Sequence, residues 1–184
     1  KDIVRLMITS QLETGTPFVM NRDRVNETQP CGHLGLVRSS NLCCEILQNM
    51  SAQEFREQRI VTEDGDAVIV TQVKAGDFVV CNLSSLVISR NLSDQEMEEC
   101  ITAQMRAMDA VIDLNEYPLP QAEVTNKTYR AVGLGTMGYH HALALQGIAW
   151  ESEEHLKWAD EYYEKFAFYA IKASMELSKE RGPC

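Results

Sequence analysis

The chain holds 184 residues, of which 45% are hydrophobic and 24% charged, with a formal net charge of −10 at pH 7. That length suffices for one domain with a real core. The negative balance excludes a general binder of nucleic-acid backbone, which needs a basic face. No run of about 18 apolar residues is present to span a membrane, and the opening Lys-Asp-Ile-Val-Arg-Leu-Met lacks the unbroken apolar core of a signal peptide.

In chain order, Lys1 to about Glu13 has helical spacing, with Ile3, Leu6 and Met7 on one side. Thr14-Gly15-Thr16-Pro17 breaks it, and Phe18-Val19-Met20 is expected to be a short buried strand. Cys31 to Ser40 reads as loop. The runs Arg59–Thr62 and Ala67–Thr71 are β-rich, and Glu63-Asp64-Gly65-Asp66 between them is a hairpin turn. Phe78–Cys81 is expected to form a further strand that delivers Cys81 at its end.

Ser93-x-x-Glu96 predicts a capping box. It opens a helix whose core positions Met97, Ile101, Met105, Met108 and Ile112 recur at helical spacing. Pro118-Leu-Pro120 closes that segment. Tyr129 to Leu134 is strand-like and Gly135 to Gln146 helical. A last helix starts near Ser152, with Glu153 and Glu154 in its first turn, and runs through Leu156, Ala159, Tyr163, Phe166, Ala170 and Leu177 to Gly182. Strands alternating with helices indicate an α/β fold, and no linker or repeat divides residues 1–184.

The chemistry concentrates in Ser40-Asn41-Leu42-Cys43-Cys44-Glu45-Ile46, echoed by Cys81-Asn82-Leu83-Ser84-Ser85-Leu86. In an extended segment residues two apart share a face. Asn41, Cys43 and Glu45 would then converge on one space, while Leu42, Cys44 and Ile46 point into packed core. On that register Cys43 is the functional thiol of the adjacent pair. Of six cysteines, Cys100 falls on an apolar helical face, Cys31 in a turn and Cys184 at the last position; these three receive no role. Without an export leader the thiols read as reduced and the protein as cytoplasmic, and the sequons at Asn26, Asn49, Asn82, Asn91 and Asn126 as chance matches.

These blocks resemble the large catalytic subunit of class I ribonucleotide reductases. The further matches follow in order: Asp113-Leu-Asn-Glu-Tyr117-Pro118-Leu-Pro120, Arg130-Ala-Val-Gly-Leu-Gly-Thr-Met-Gly138 and Lys172-Ala-Ser-Met-Glu-Leu-Ser-Lys-Glu-Arg-Gly182. Upstream, Gly15-Thr-Pro-Phe-Val-Met20 with Asp23 and Asn26 also fits. The resemblance implies part of a ten-stranded α/β barrel with a reactive finger loop, and an internal piece of a longer subunit. It implies reduction of ribonucleoside diphosphates to deoxyribonucleotides. In that scheme Ser40, Asn41, Leu42, Cys43, Cys44 and Glu45 line the substrate.

Cys43 would become a transient thiyl radical, Glu45 the general base on the 3′-hydroxyl, and Asn41 a hydrogen-bonding partner of the ribose. Cys81 would be half of the reducing dithiol, its partner lying upstream of these residues. This chain would bind no cofactor of its own. The implied partners are a metal-containing small subunit that supplies the radical, the remaining large-subunit segments, and thioredoxin or glutaredoxin. Nucleotide effectors, ATP or a deoxynucleoside triphosphate, would bind parts of the family fold outside these residues.

Other readings stand beside this one. Gly133-Leu-Gly135-Thr-Met-Gly138 matches the dinucleotide fingerprint, which would make the chain a nicotinamide-dependent dehydrogenase. That motif needs a surrounding βαβ unit and an acidic residue after a second strand, whereas Glu151, Glu153 and Glu154 open a helix. Adjacent His140 and His141 diverge by about 100° on a helix and make a poor ligand pair, so no metal is expected. Tyr162 and Tyr163 sit on an amphipathic helix as packing residues. A non-catalytic fragment that completes the fold of companion polypeptides is the remaining alternative.

Overall fold

The computed structural model describes all residues from Lys1 to Cys184, which form two compact units, Lys1–Val79 and Val80–Cys184. In the first unit, helix α1 (Asp2–Thr14) ends at Gly15, whose left-handed φ of 77° lets its N–H return to the Gln11 carbonyl. The apolar side of α1 is exposed, Ile3 and Leu6 included. The strand expected at Phe18-Val19-Met20 does not form, and Phe18 and Val19 are exposed. Asn21 caps helix α2 (Arg22–Thr28) there, accepting from the Arg24 N–H, so the chain turns into a helix instead of finding a strand partner. The capping Asn and the acidic Asp23 in the first turn were the available signals for this short helix.

The hairpin forms as its turn chemistry predicts. Strands β1 (Glu54–Val61) and β2 (Ala67–Lys74) pair antiparallel, with Val61 opposite Ala67. Gly65 (φ 82°) donates to the Thr62 carbonyl at 2.9 Å, and Thr62 donates to Asp66 O at 2.9 Å. At the open end the Asp77 carboxylate accepts from Ser51 N at 2.6 Å, and a Cβ added to Gly76 would sit 2.6 Å from the Ser51 carbonyl. Only glycine fits so close an approach.

In the second unit, β3 (Leu83–Val87) and β4 (Gly133–Met137) pair in parallel, Leu83 opposite Gly133 and Ser85 opposite Gly135. A 3-10 turn (Ile88–Arg90), α3 (Asp94–Leu114) and α4 (Pro120–Tyr129) make the crossover between them; α5 (Tyr139–Gln146) and α6 (Glu153–Arg181) follow. The Ser93–Glu96 capping box opens α3, which buries Met97, Ile101, Met105, Met108 and Ile112 as its spacing predicts. Met97, Ile101, Met105 and Met108 pack with Leu86, Ile88, Ala142, Phe166 and Ala173 into one core. Each such large side chain stabilises the fold by about 1.5–3 kcal/mol on burial. On α6, Phe166, Ala173 and Leu177 are buried while Leu156 is exposed.

Three boundaries differ from the sequence expectation. Phe78–Cys81 is not a strand; the ladder begins at Leu83. Tyr129 ends a helix rather than starting a strand, because Pro120 occupies the first turn of α4, where its missing N–H costs nothing. Helix α5 starts at Tyr139 rather than Gly135, since Gly133 and Gly135 are held in the ladder. Tyr162 and Tyr163 do pack: Tyr162 stacks on Trp158 at 5.0 Å, burial pushing its hydroxyl up to about 12, and the Tyr163 hydroxyl meets Thr136 Oγ1 at 2.8 Å.

The ends of α3, α4 and α6 are tied by one ion network. Arg130, at a left-handed φ of 47°, donates to Asp109 Oδ1 at 2.7 Å and to both Asp113 oxygens at 2.9 Å. Arg181 donates to the other Asp109 oxygen. Asp109 is 8% exposed. Burial works to raise its pKa, yet the hydrogen bonds and charges of Arg130 and Arg181 outweigh it and hold the carboxyl below the usual range. Arg130 holds Asp113 low in the same way.

Groups held low in the folded state stabilise it above their unfolded value and lose that contribution as pH falls. The second unit should therefore lose stability as pH drops below about 4, read by thermal melts across a pH series. Asp109→Asn, which leaves two guanidiniums facing a neutral amide, should cost about 3 kcal/mol in urea unfolding. Lys74→Ala, breaking the exposed pair with Glu54, should change stability by less than about 0.5 kcal/mol.

Candidate active site

The Ser40–Ile46 segment is a turn, not an extended strand. Cys44 N–H donates to the Asn41 carbonyl at 3.1 Å, and Ile46 N–H donates to Asn41 Oδ1 at 3.0 Å. Asn side chains compete in this way with strand pairing, and no neighbouring strand pairs with this segment. Cys44 takes a left-handed φ of 64°, a conformation few residues other than glycine, Asn or Asp adopt. Two-residue alternation therefore does not operate, and Leu42, expected in the core, is 86% exposed.

The turn still separates the two thiols. Cys43 is exposed at its tip, with Glu45 exposed beyond it. Cys44 is half-buried, and the Ser40 hydroxyl lies 3.1 Å from both its sulfur and the Asn41 carbonyl. Ser40 and Asn41 thus shape the loop that presents Cys43.

Upstream, the loop is held by a residue whose role the sequence did not disclose. Asn26 Oδ1 accepts from Val37 N–H at 2.8 Å, and its Nδ2 donates to the Val37 carbonyl at 2.9 Å. One side chain thereby satisfies both backbone groups of a fully buried residue, as a neighbouring strand would. Gln29 adds a bond to Asn26 and one to the Gly35 carbonyl.

Cys81 is exposed, two residues ahead of β3. Its neighbour Asn82 is a loop-fixing residue. Asn82 Nδ2 donates to Asn126 Oδ1 at 2.8 Å and to the Ala131 carbonyl at 3.1 Å, while its own carbonyl accepts from Gly133 N–H at 2.8 Å. Gln104 braces the next residues, donating to Ser84 Oγ at 2.9 Å and the Ser85 carbonyl at 3.2 Å.

The glycines of the apparent dinucleotide motif have structural duties here. Gly133 and Gly135 lie inside β4, and a Cβ on Gly135 would come within 3.4 Å of Ser85 Oγ. Only Gly138 sits at the strand-to-helix junction, with φ 81° and a Cβ position 3.0 Å from Ser89 Oγ. A phosphate cradle needs these glycines in the turn itself, so the arrangement does not favour a dehydrogenase. His140 and His141 are both exposed, and no group of three or more His, Cys, Asp or Glu side chains is placed to hold a metal.

The sequence matches the ribonucleotide reductase barrel domain family over residues 1–184. The chain belongs to this family. It is 52% identical to the ribonucleoside-diphosphate reductase subunit alpha of Treponema pallidum, over 99% of this chain and 22% of that protein. It is 34% identical to the Helicobacter pylori subunit alpha (99% of this chain, 27% of that one) and 30% identical to the variola virus large subunit (97% and 21%). In structure it resembles the class Id ribonucleotide reductase alpha subunit of Actinobacillus ureae, with a TM-score of 0.70 at 22% identity, covering 96% of this chain and 31% of that one. The chain thus spans about a fifth to a quarter of the relatives it matches.

Exposure and the Ser40 contact separate the adjacent thiols chemically. In the native chain Cys43 should alkylate about tenfold or more faster than Cys44, measured by peptide mapping after brief iodoacetamide treatment. Ser40→Ala should speed Cys44 while leaving Cys43 unchanged.

Proposed function

We propose that this chain is a catalytic-core piece of a ribonucleoside-diphosphate reductase large subunit, with residues 1–184 forming part of one barrel. End-to-end membership in the barrel-domain family, at 52% identity to the T. pallidum subunit, carries this reading. The exposed Cys43 on a side-chain-braced turn supports it. In the whole subunit β3 and β4 are two neighbouring strands of the ten-stranded barrel, and the Ser40–Glu45 turn is the finger loop reaching the ribose.

The chemistry follows from the side chains. A metal-containing small subunit supplies the oxidising equivalent that removes one electron and one proton from the Cys43 thiol. The sulfur takes the hydrogen atom from ribose C3′, a reversible transfer because S–H and activated C–H bonds are close in strength. Glu45 accepts the 3′-hydroxyl proton as general base, and Asn41 hydrogen-bonds the ribose hydroxyls. The 2′-hydroxyl departs as water with a proton from the dithiol formed by Cys81 and a cysteine outside these residues. That dithiol gives two electrons and two protons in all and becomes a disulfide. Cys43 then returns its hydrogen to C3′, and Glu45 its proton. Ribonucleotide plus two thiols thus yields deoxyribonucleotide, water and disulfide. Thioredoxin or glutaredoxin re-reduces the disulfide in the cytoplasm, and nucleotide effectors act through segments outside this chain.

In an assembled enzyme Cys43→Ser should abolish deoxynucleotide formation with folding intact, because a hydroxyl is a far poorer hydrogen-atom donor; Cys44→Ser should be mild. Equal losses from both would defeat the assignment. The 184-residue chain alone, given small subunit, substrate and dithiol, should form no product, since it carries neither the second cysteine of the dithiol nor the barrel's other strands. Turnover at the rate of a whole reductase would defeat the fragment reading.

A further inference from the structure

Asn82 does not anchor the Cys81 segment by itself. Both hydrogens of its amide are used, one on the Ala131 carbonyl and one on Asn126 Oδ1. Asn126 is 4% exposed. Its own Nδ2 donates to the Tyr117 hydroxyl, which donates in turn to the Ile112 carbonyl at 2.8 Å, in the last turn of α3. Every donor points one way: Asn82 to Asn126 to Tyr117 to the end of the most buried helix of the unit.

A buried amide and phenol cost free energy unless fully paired, and apolar side chains of similar volume would fill the same space without that demand. What the polar chain adds is directional. It sets the rotamer of Asn82, and through it the backbone beside Cys81, at a point where residues 75–82 have no helix or strand of their own. Such networks specify one geometry when every member is satisfied.

We infer that Asn126 and Tyr117 are positioning residues for the Cys81 thiol, holding it where the reducing step requires it through the Asn82 amide. This rests on the redox role proposed above for Cys81. It adds two residues that touch neither substrate nor thiol and that lie outside the Cys-Asn-Leu-x-Ser block.

The test uses a complete large subunit carrying these residues, assayed with small subunit, substrate and dithiol reductant. Cys81→Ser is measured first; normal turnover there would defeat the redox role itself and this inference with it. With Cys81→Ser inactive, Asn126→Leu should lower kcat about tenfold or more, with KM for substrate within about twofold of the parent. Continued protection of Cys100 from alkylation certifies that the variant is folded. Asn126→Asp, which keeps the acceptor facing Asn82 but loses the donor to Tyr117, should lower kcat only about threefold, a partial rescue relative to Asn126→Leu that a purely structural role for the amide would not require. Should Asn126→Leu fail to fold, Tyr117→Phe replaces it, with kcat lowered about threefold at unchanged KM. An unchanged kcat in the folded variant, or Asn126→Asp as impaired as Asn126→Leu, would overturn the inference while leaving the role of Cys81 intact.

Discussion

Two strands that run parallel cannot be joined by a tight turn; the chain must cross over and return, and the crossover must cover one face of the pair. That constraint organises residues 80–184. The pairing of Leu83–Val87 with Gly133–Met137 obliges α3 and α4 to lie between them in sequence, and the face of the pair carrying Leu86 packs into the core with α3 and α6. The two glycines of β4 lie within this pairing, Gly133 opposite Leu83 and Gly135 opposite Ser85. A motif that reads as a nucleotide cradle in one dimension is thereby spent on strand packing in three.

The same pairing explains why the segment around Cys81 is so firmly referenced. The Asn82 carbonyl receives the Gly133 N–H just where the ladder begins, so thiol and strand start share one anchor. Further out, the Asp109–Arg130–Asp113 network fixes the passage from α4 into β4, with Arg130 held at a positive φ by three acidic contacts. The exposed pairs between α3 and α6, such as Lys165–Asp94 and Arg106–Glu180, orient two helices that the core has already brought together. Exposed pairs of this kind contribute little energy by themselves.

Residues 1–79 are built differently. They contain two helices without buried residues and a hairpin whose strands are exposed almost throughout. Side chains do much of the fastening here: Asn26 around Val37, Asp77 at Ser51, and Asn41 within the reactive turn. A thiol presented on such a turn is set by hydrogen bonds local to the loop, so its exposure does not depend on the two-residue period of a strand.

By itself the sequence determined the elements whose signals are local. The Ser93–Glu96 capping box, the α3 core positions, the Glu63–Asp66 turn and the long α6 all lie where capping, periodicity and turn chemistry put them, because each depends on residues within one or two helical turns. The order of the reactive blocks also revealed the family. Tertiary structure alone decided what depends on partners distant in the chain. The strand expected at Phe78–Cys81 does not form; the ladder starts at Leu83, beyond Asn82, whose amide is claimed by Asn126 and Ala131, 44 and 49 positions away. Pro120 opens a helix instead of merely ending one, and Cys43 stands out from Cys44 because Asn41 folds its segment into a turn, not because side chains alternate along a strand.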